Sequence, residues 1–489
     1  MVDSEKYKLL PFRFIRLRNG VLIVNQGGDF LIIKKNDFDR LVERQLQNDE
    51  KTYLDLKSKL FLYDNELELP VQLLATQYRT KKSFLRNFTA LHMVVVTIRC
   101  NQKCKYCQVS SENADKSRFD MQIEVARKCV DLIFQSPSPY IKIEFQGGEP
   151  LLNFETVKFI VEYAKELNSK HNKYLEFVLC SNLTIVDEYH LGYCRDHGIH
   201  ISTSIDGPSD IHDAYRRMES GEGSFAKVVA GLKLSQEILG KENIAGLMAT
   251  TRTSLDSFRD IVDQYIKLGF HSIFFRPLNP YGRALENETL IGYDISEFLK
   301  SYRAGVDYII DLNLRGLWFV EEYSRLVLTR MLTPFSTGFV DLQSPTGAGI
   351  GGVIYDYDGG VYVADEGRML ARKGDKKFRM GNVSDSYHDL FGGNVVRETV
   401  ASSFVECLPQ CSECAFQMWC GADPVRNYAA QGDMIGHRPT SEFCRKNMGV
   451  IHYILEKIDS GDDEVLNVFW SWITNRPLES ICSFGLKET

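Results

Sequence analysis

Cys100, Cys104 and Cys107 stand in the run TIRCNQKCKYCQV with C-x3-C-x2-C spacing. Three thiolates packed this closely can hold three irons of a 4Fe–4S cube, and thiolate ligation is the usual way proteins hold such clusters. The fourth iron is then free to bind a small molecule through an amino and a carboxylate group. A zinc site normally takes four N or S ligands. No further His or Cys lies close enough in sequence to complete one. A disulfide framework fits poorly with 12 cysteines in 489 residues.

A second group lies near the C-terminus: Cys407, Cys411, Cys414, Cys420 and Cys444, in ECLPQCSECAFQMWCGADP and RPTSEFCRK. Cys411, Cys414 and Cys420 form C-x2-C-x5-C, and Cys444 is the late member. Cys407 with Cys411 and Cys414 repeats the spacing of the first run, so it could stand in for Cys444. Four thiolates also suit a structural zinc. Cys129, Cys180, Cys194 and Cys482 show no ligand spacing. Cys129 and Cys194 fall inside helical patterns, where a free Cys acts as a small hydrophobe.

The elements that must position these groups are legible as patterns. At 489 residues, two or three domains and a large core are expected. Residues 1–85 read as a separate module. Its strand-like runs are Phe12–Leu17, Val21–Val24 and Phe30–Ile33, separated by Asn-Gly and Gly-Gly turns. Helices are expected at Asp37–Leu46, with Asn36 as N-cap, and at Thr52–Phe61. Residues 86–320 change period. His92–Ile98 is a continuous apolar run, as in a strand buried on both faces. Strands are expected at Ile141–Phe145, Leu175–Leu179, His200–Ile205, Ala245–Thr250 and Ser272–Arg276. Between them lie helix patterns at Gln122–Phe134, Phe154–Leu167, Asp187–His197, Phe225–Leu239 and Leu255–Leu268. Six βα units in a row predict a parallel sheet with right-handed crossovers, too few to close an eight-fold barrel. Chemistry should gather at the carboxyl ends of the strands.

The second strand ends in Phe145-Gln146-Gly147-Gly148-Glu149-Pro150. Its two glycines allow a ligand to approach the backbone, and Glu149 can add charge beside an ammonium group. Arg276, in FFRPLNP, is expected at the barrel interior or rim, in reach of substrate.

A C-x3-C-x2-C run followed by GGEP at a strand end resembles the radical S-adenosylmethionine (SAM) superfamily. The resemblance implies SAM on the open iron. It also implies SAM contacts from Tyr106, Gln146, Gly147, Gly148, Glu149, Ser181, Ser204 and Arg216, the last in HDAYRR reaching the SAM carboxylate. The second cysteine group resembles the SPASM extension of radical SAM maturases, which usually carries seven cysteines and two auxiliary clusters. Here the pattern would place three of those cysteines near Thr346, at Ala364 and at Pro424. The resemblance therefore implies one auxiliary 4Fe–4S cluster, on Cys411, Cys414, Cys420 and Cys444. It also implies a base at Asp365, which follows the hairpin DGGVYVA; the plainer reading is a turn residue or an ion pair with Arg368. The expected fold class is α/β. It comprises a partial (β/α)6 TIM barrel, an N-terminal winged-helix-like module, a SPASM-like Fe–S domain over 321–460 and a tail over 461–489.

LPFRF, GAGIGGVIYDYDGGVY, DEGRML, CGADPVRNYAAQGD and GHRPTSEFC together resemble the His-Xaa-Ser system radical SAM maturases (HxsB-type). That implies a ribosomally made precursor peptide as substrate, a second radical SAM maturase as partner, and an electron donor such as flavodoxin or ferredoxin. The reaction implied is hydrogen abstraction leading to a crosslink or another modification. Two other readings stay open: a formylglycine-type protein oxidase, and a non-catalytic leader-binding or electron-donating partner. A net charge of −7 argues against a nucleic-acid footprint. No apolar run is long enough to span a membrane. The opening MVDSEKYKLLPFRF lacks a secretory apolar segment. With reduced cysteines, the cytoplasm is the expected location.

Overall fold

The computed structural model describes residues 7–64, 68–109, 111–112 and 115–482, the side chain of Cys482 excepted. The first elements are strands β1 (Phe12–Arg16), β2 (Val21–Asn25) and β3 (Phe30–Ile33), which form an antiparallel sheet in the order β1-β2-β3. Helices α1 (Lys35–Val42), α2 (Lys51–Ser58) and α3 (Leu69–Lys81) follow. Val21, Ile23, Phe38, Leu41, Tyr53 and Leu56 bury a small core of their own. Asn36 lies inside α1 and does not cap it; the extended residue before the helix is Lys34. The helix is also shorter than its pattern, because Arg44 takes a left-handed backbone (φ 60°). Helix α3 was not legible in the sequence.

The central sheet starts at β4 (Leu91–Thr97). It continues through α4 (Ile123–Ile133), β5 (Tyr140–Gly147), α5 (Phe154–His171), β6 (Tyr174–Ser181), α6 (Glu188–His197) and β7 (Ile199–Ser204). Helix α7 (Phe225–Leu239) leads to β8 (Ile244–Leu247), and α8 (Phe258–Lys267) to β9 (Ser272–Ile273). Strands β4 to β8 are all parallel, neighbour to neighbour in chain order. Val94, Val96, Ile141, Ile143 and Phe145 meet Ala126, Val130, Ile133, Val157 and Ile160 of the flanking helices, and Cys129 and Cys194 belong to this core.

The expected six-stranded run is broken at its end. Strand β9 is two residues long and pairs in parallel with β10 (Val320–Glu321), which follows α9 (Ile295–Leu314). Buried Glu321 explains the break. It begins α10 (Glu322–Leu332), accepting from Tyr323 N and Ser324 N, and it also accepts from Phe275 N (3.2 Å), so that amide is taken from a ladder. The other edge of the sheet is extended by the C-terminal part. Strand β11 (Gly352–Tyr355) runs parallel to β4, and β12 (Gly360–Tyr362) and β13 (Arg379–Asn382) continue antiparallel beyond it. The central sheet is thus mixed and mostly parallel, with eight strands. Helix α11 (Asp365–Arg372) lies between β12 and β13 in the chain; α12 (Pro424–Gln431), α13 (Glu442–Asp459) and α14 (Asp463–Thr474) complete the labelled helices.

Candidate functional site

The loop carrying Cys100, Cys104 and Cys107 leaves the carboxyl end of β4. It is anchored on both sides: Lys103 N donates to Arg217 O (2.8 Å), Lys105 N to Tyr215 O (2.9 Å), and Arg283 N to Cys107 O (3.0 Å). Cys104 is buried, and Cys100 and Cys107 are half-buried. Burial pushes the Cys104 thiol up to about 11, and that of Cys100 further, against model-peptide thiols near 9. Donors face sulfur: Gln102 N lies 3.4 Å and Asn182 Nδ2 3.9 Å from Cys100 Sγ.

The two glycines at the end of β5 are also required by the packing of the chain itself. A Cβ on Gly147 would sit 1.9 Å from Thr97 O, and one on Gly148 2.1 Å from Arg99 O. Their small size admits the chain's own cysteine loop. Gly148 N and Glu149 N then donate to Thr97 O (2.9 Å) and Arg99 O (2.7 Å), which fixes where the loop begins. Glu149 is buried and already engaged: it accepts from Asn182 N (2.7 Å), Ser181 Oγ (2.9 Å) and Leu151 N (3.1 Å). Burial raises it to about 7 although those bonds oppose the shift. Glu149 thus clamps the ends of β5 and β6 together. Gln146 turns to Glu144 Oε1 (2.6 Å). Ser204 is half-buried at the end of β7.

Arg216 is held within the protein rather than left free. Its NH1 donates to the Tyr106 hydroxyl (2.9 Å), its guanidinium lies 5.7 Å from the Tyr106 ring centroid, and the same hydroxyl donates to Asp206. Asp206 in turn accepts from Ala249 N (3.1 Å), tying β7 to the segment after β8. Arg216 Nε and Gln102 Nε2 are buried without a partner, the kind of orphaned donor a polar ligand satisfies. Asp206, Asn182 and Gln102 therefore join the site. A strand-end Asp-Gly-Pro was a legible signal for the first; nothing in the pattern marked Gln102. Arg276 is exposed, and its carbonyl accepts from Thr250 N.

Cys411, Cys414, Cys420 and Cys444 come together. Burial, then the charges of Cys420, Cys411 and Cys414, push the Cys444 thiol up to about 12. Ser441 caps α13 and accepts from Cys444 N (3.3 Å), and Asn447 Nδ2 lies 3.4 Å from Cys420 Sγ. Cys407 is exposed. Among the described residues, no group of three or more His, Cys, Asp or Glu side chains is arranged to hold a metal ion. A cube spreads its thiolates over separate irons and so sets them wider apart than the ligands of one zinc. Both cysteine groups fit a cluster by donor chemistry, and the first also offers unsatisfied donors.

Asp365 is paired with Arg368, whose Nε donates to it at 2.8 Å, as the plainer reading of the sequence expects. The next residue, Glu366, makes no ion pair among the described residues. Its surroundings are Asp341, Asp365 and Asp423, and burial with those charges raises it to about 8.

A parallel sheet with a three-cysteine loop at its carboxyl mouth defines a barrel enzyme built around an iron–sulfur cluster. Residues 94–271 match the model of the radical SAM superfamily, and the chain belongs to that superfamily, whose members bind a 4Fe–4S cluster and SAM and carry out radical redox chemistry. It is 32% identical over 212 residues to an uncharacterized protein of Methanocaldococcus jannaschii, covering 43% of this chain and 69% of that one. It is 26% identical over 337 residues to a cysteine-type anaerobic sulfatase-maturating enzyme of Clostridium perfringens, covering 66% of this chain and 84% of that one. The fold is shared with Streptococcus suis SuiB bound to its precursor peptide SuiA. There the TM-score is 0.52 at 13% identity, over 90% of this chain and 99% of that one. No helix among the described residues is long and apolar enough to cross a membrane.

Proposed function

We propose that this chain is a peptide maturase of the His-Xaa-Ser system type, acting on a ribosomally made precursor peptide. The observation that carries the reading is the Cys100–Cys107 loop, with Cys104 buried, at the mouth of the parallel sheet, beside unsatisfied Gln102 and Arg216 donors. A 4Fe–4S cluster and SAM, when bound, would supply the radical chemistry that takes hydrogen from the substrate. The chain's own residues then have defined tasks. Cys100, Cys104 and Cys107 hold the cluster, Gln102 and Asn182 orient polar groups beside it, and the Tyr106–Asp206–Arg216 network shapes the wall. Cys411, Cys414, Cys420 and Cys444 hold one auxiliary cluster.

Residues 1–85 serve as the leader-binding module. Support comes from the likeness to SuiB, which extends over most of the chain. A second radical SAM maturase, a flavodoxin or ferredoxin donor and a cytoplasmic setting complete the proposal. The oxidase reading draws on the sulfatase-maturating relative. It is weakened by the engagement of Asp365 with Arg368.

The test is anaerobic. Reconstituted protein, dithionite and SAM should yield 5′-deoxyadenosine and methionine. Co-expression with a precursor peptide should give a product lacking two hydrogens for a crosslink. An unmodified peptide alongside a formylglycine product on a sulfatase-type peptide overturns the maturase assignment.

A further inference from the structure

Four segments far apart in sequence converge on one polar spot that the SAM site does not use. Glu366 lies in the first turn of α11. Asp423 caps α12, accepting from Arg426 N at 2.9 Å. Asp341 sits in the turn Val340–Leu342, whose backbone lies against Gly421 so closely that a Cβ there would meet Asp341 O at 2.4 Å. Tyr281 follows β9; it is 3% exposed, and its hydroxyl has no partner. The charges that act on that hydroxyl are Asp423, Glu366, Asp341 and Arg426, so it is set among the carboxylates.

We infer that Asp341, Glu366, Asp423 and Tyr281 form a subsite for a cationic side chain of the substrate: an ammonium, guanidinium or imidazolium group. The inference rests on the peptide-maturase reading for the nature of the substrate.

The charge balance supports it. Arg426 donates to Asn279 Oδ1 (2.8 Å) and faces Glu442 (3.8 Å). Arg368 is held by Asp365. Lys446 Nζ lies over the Tyr323 ring at 4.6 Å. The charges that act most on Glu366 are those of Asp423, Asp365 and Asp341, while the cations Arg426 and Lys446 act on Asp423, and Lys446 on Asp341, so two cations stand among three carboxylates. Three half-buried carboxylates among two cations leave one negative charge unbalanced, and such a group either keeps its proton or takes a further cation. Glu366, Asp341 and Asp423 are each only half-buried, so all three remain reachable. The arrangement does not suit a metal ion, since no acidic group among the described residues has that geometry. An organic cation with directional N–H donors fits spread carboxylates and a hydroxyl acceptor.

The spot also adjoins the cluster loop. Arg372, on the same helix as Glu366, donates to Glu112 Oε1 at 2.8 Å. Arg368 lies within electrostatic reach of Cys107. A side chain anchored here would therefore be held beside the place where hydrogen is abstracted.

The test titrates full-length, anaerobically reconstituted protein with Nα-acetyl-lysinamide, Nα-acetyl-argininamide, Nα-acetyl-histidinamide at low pH, and neutral Nα-acetyl-norleucinamide. Calorimetry or ligand-observed NMR reads the binding. At least one cation should bind about tenfold more tightly than the neutral probe and weaken with salt. Glu366→Gln should remove that difference, and Tyr281→Phe should reduce it several-fold. Equal binding of all probes, no binding of any cation, or undiminished selectivity in Glu366→Gln overturns the subsite. If Glu366→Gln fails to fold by circular dichroism, undiminished selectivity in Tyr281→Phe does so instead. Formation of 5′-deoxyadenosine by the wild type reads the maturase proposal separately. Its absence with selectivity intact removes that proposal alone, and selectivity lost with cleavage intact removes the subsite alone.

Discussion

Asp365 and Arg368 form an ion pair one helical turn apart, at 2.8 Å, with Arg368 wholly buried. Asp356 is the only other acid in an ion pair with that guanidinium among the described residues, at 3.9 Å. Asp365 is thus committed to neutralising a buried cation. Its loss leaves that cation short of a counter-charge, which in buried pairs costs about 3 kcal/mol or more. Asp365→Asn should therefore lower the denaturant midpoint of unfolding by a corresponding amount. Turnover per folded molecule should fall much less than yield. A normal midpoint with abolished turnover would restore Asp365 as a catalytic base.

Gly148 has the cysteine loop's backbone pressed against it, with Arg99 O 2.1 Å from where a Cβ would stand. Backbone cannot swing aside as a side-chain tip can. Gly148→Ala should push the loop away from β5, reducing both cluster loading and thermal stability. Iron analysis and a melting curve check it together. Full iron content in the alanine variant contradicts this account of the motif.

Much of the barrel was readable from the chain, and the reasons for the misses are physical. β4 to β7 lie within about two residues of their apolar runs because burial on both faces leaves a continuous signal. β8 ends early where Ala249 N goes to the Asp206 side chain, and β9 where Phe275 N goes to Glu321, a partner 46 residues away that no local pattern shows. Strand β11, which extends the sheet beyond β4, is likewise supplied from beyond residue 350. The cysteine positions and GGEP were legible as motifs, but the packing of the two glycines against the cysteine loop was not. Spacing cannot tell whether a ligand or the protein's own backbone makes the close approach. The i,i+3 relation of Asp365 and Arg368 was visible. The isolation of Glu366 was not, since Asp341, Asp423 and Tyr281 come from three remote segments.

Cys444 faces Cys411, Cys414 and Cys420, whereas Cys407 is exposed. Two 4Fe–4S clusters correspond to about eight irons per chain. Cys444→Ala should lower that count by up to half, while Cys407→Ala should leave it unchanged. Iron and sulfide analysis of anaerobically purified protein decides. Zinc in place of iron at the second group, or loss of iron in Cys407→Ala, would reverse the assignment of ligands.

Glu366 titrates at about 8 in the folded protein against 4.5 for the model group, because burial and the carboxylates of Asp423, Asp365 and Asp341 disfavour its charge. Between those two values the folded state holds a proton that the unfolded state has lost, so stability falls as pH rises through this window. His92 works on the acid side. Burial lowers it to about 3 from 6.5, so the unfolded state gains a proton first as pH falls, and stability drops below about 6.5. The two effects cancel between about 4.5 and 6.5, so from this pair stability is level there and falls as pH rises from about 6.5 to about 8. Glu366→Gln removes the titrating group without changing its shape and should flatten the alkaline limb while leaving the acid limb in place. Melting temperatures from pH 5 to pH 9 for both proteins test this, and parallel curves across the alkaline range would show that Glu366 keeps an ordinary carboxyl pKa.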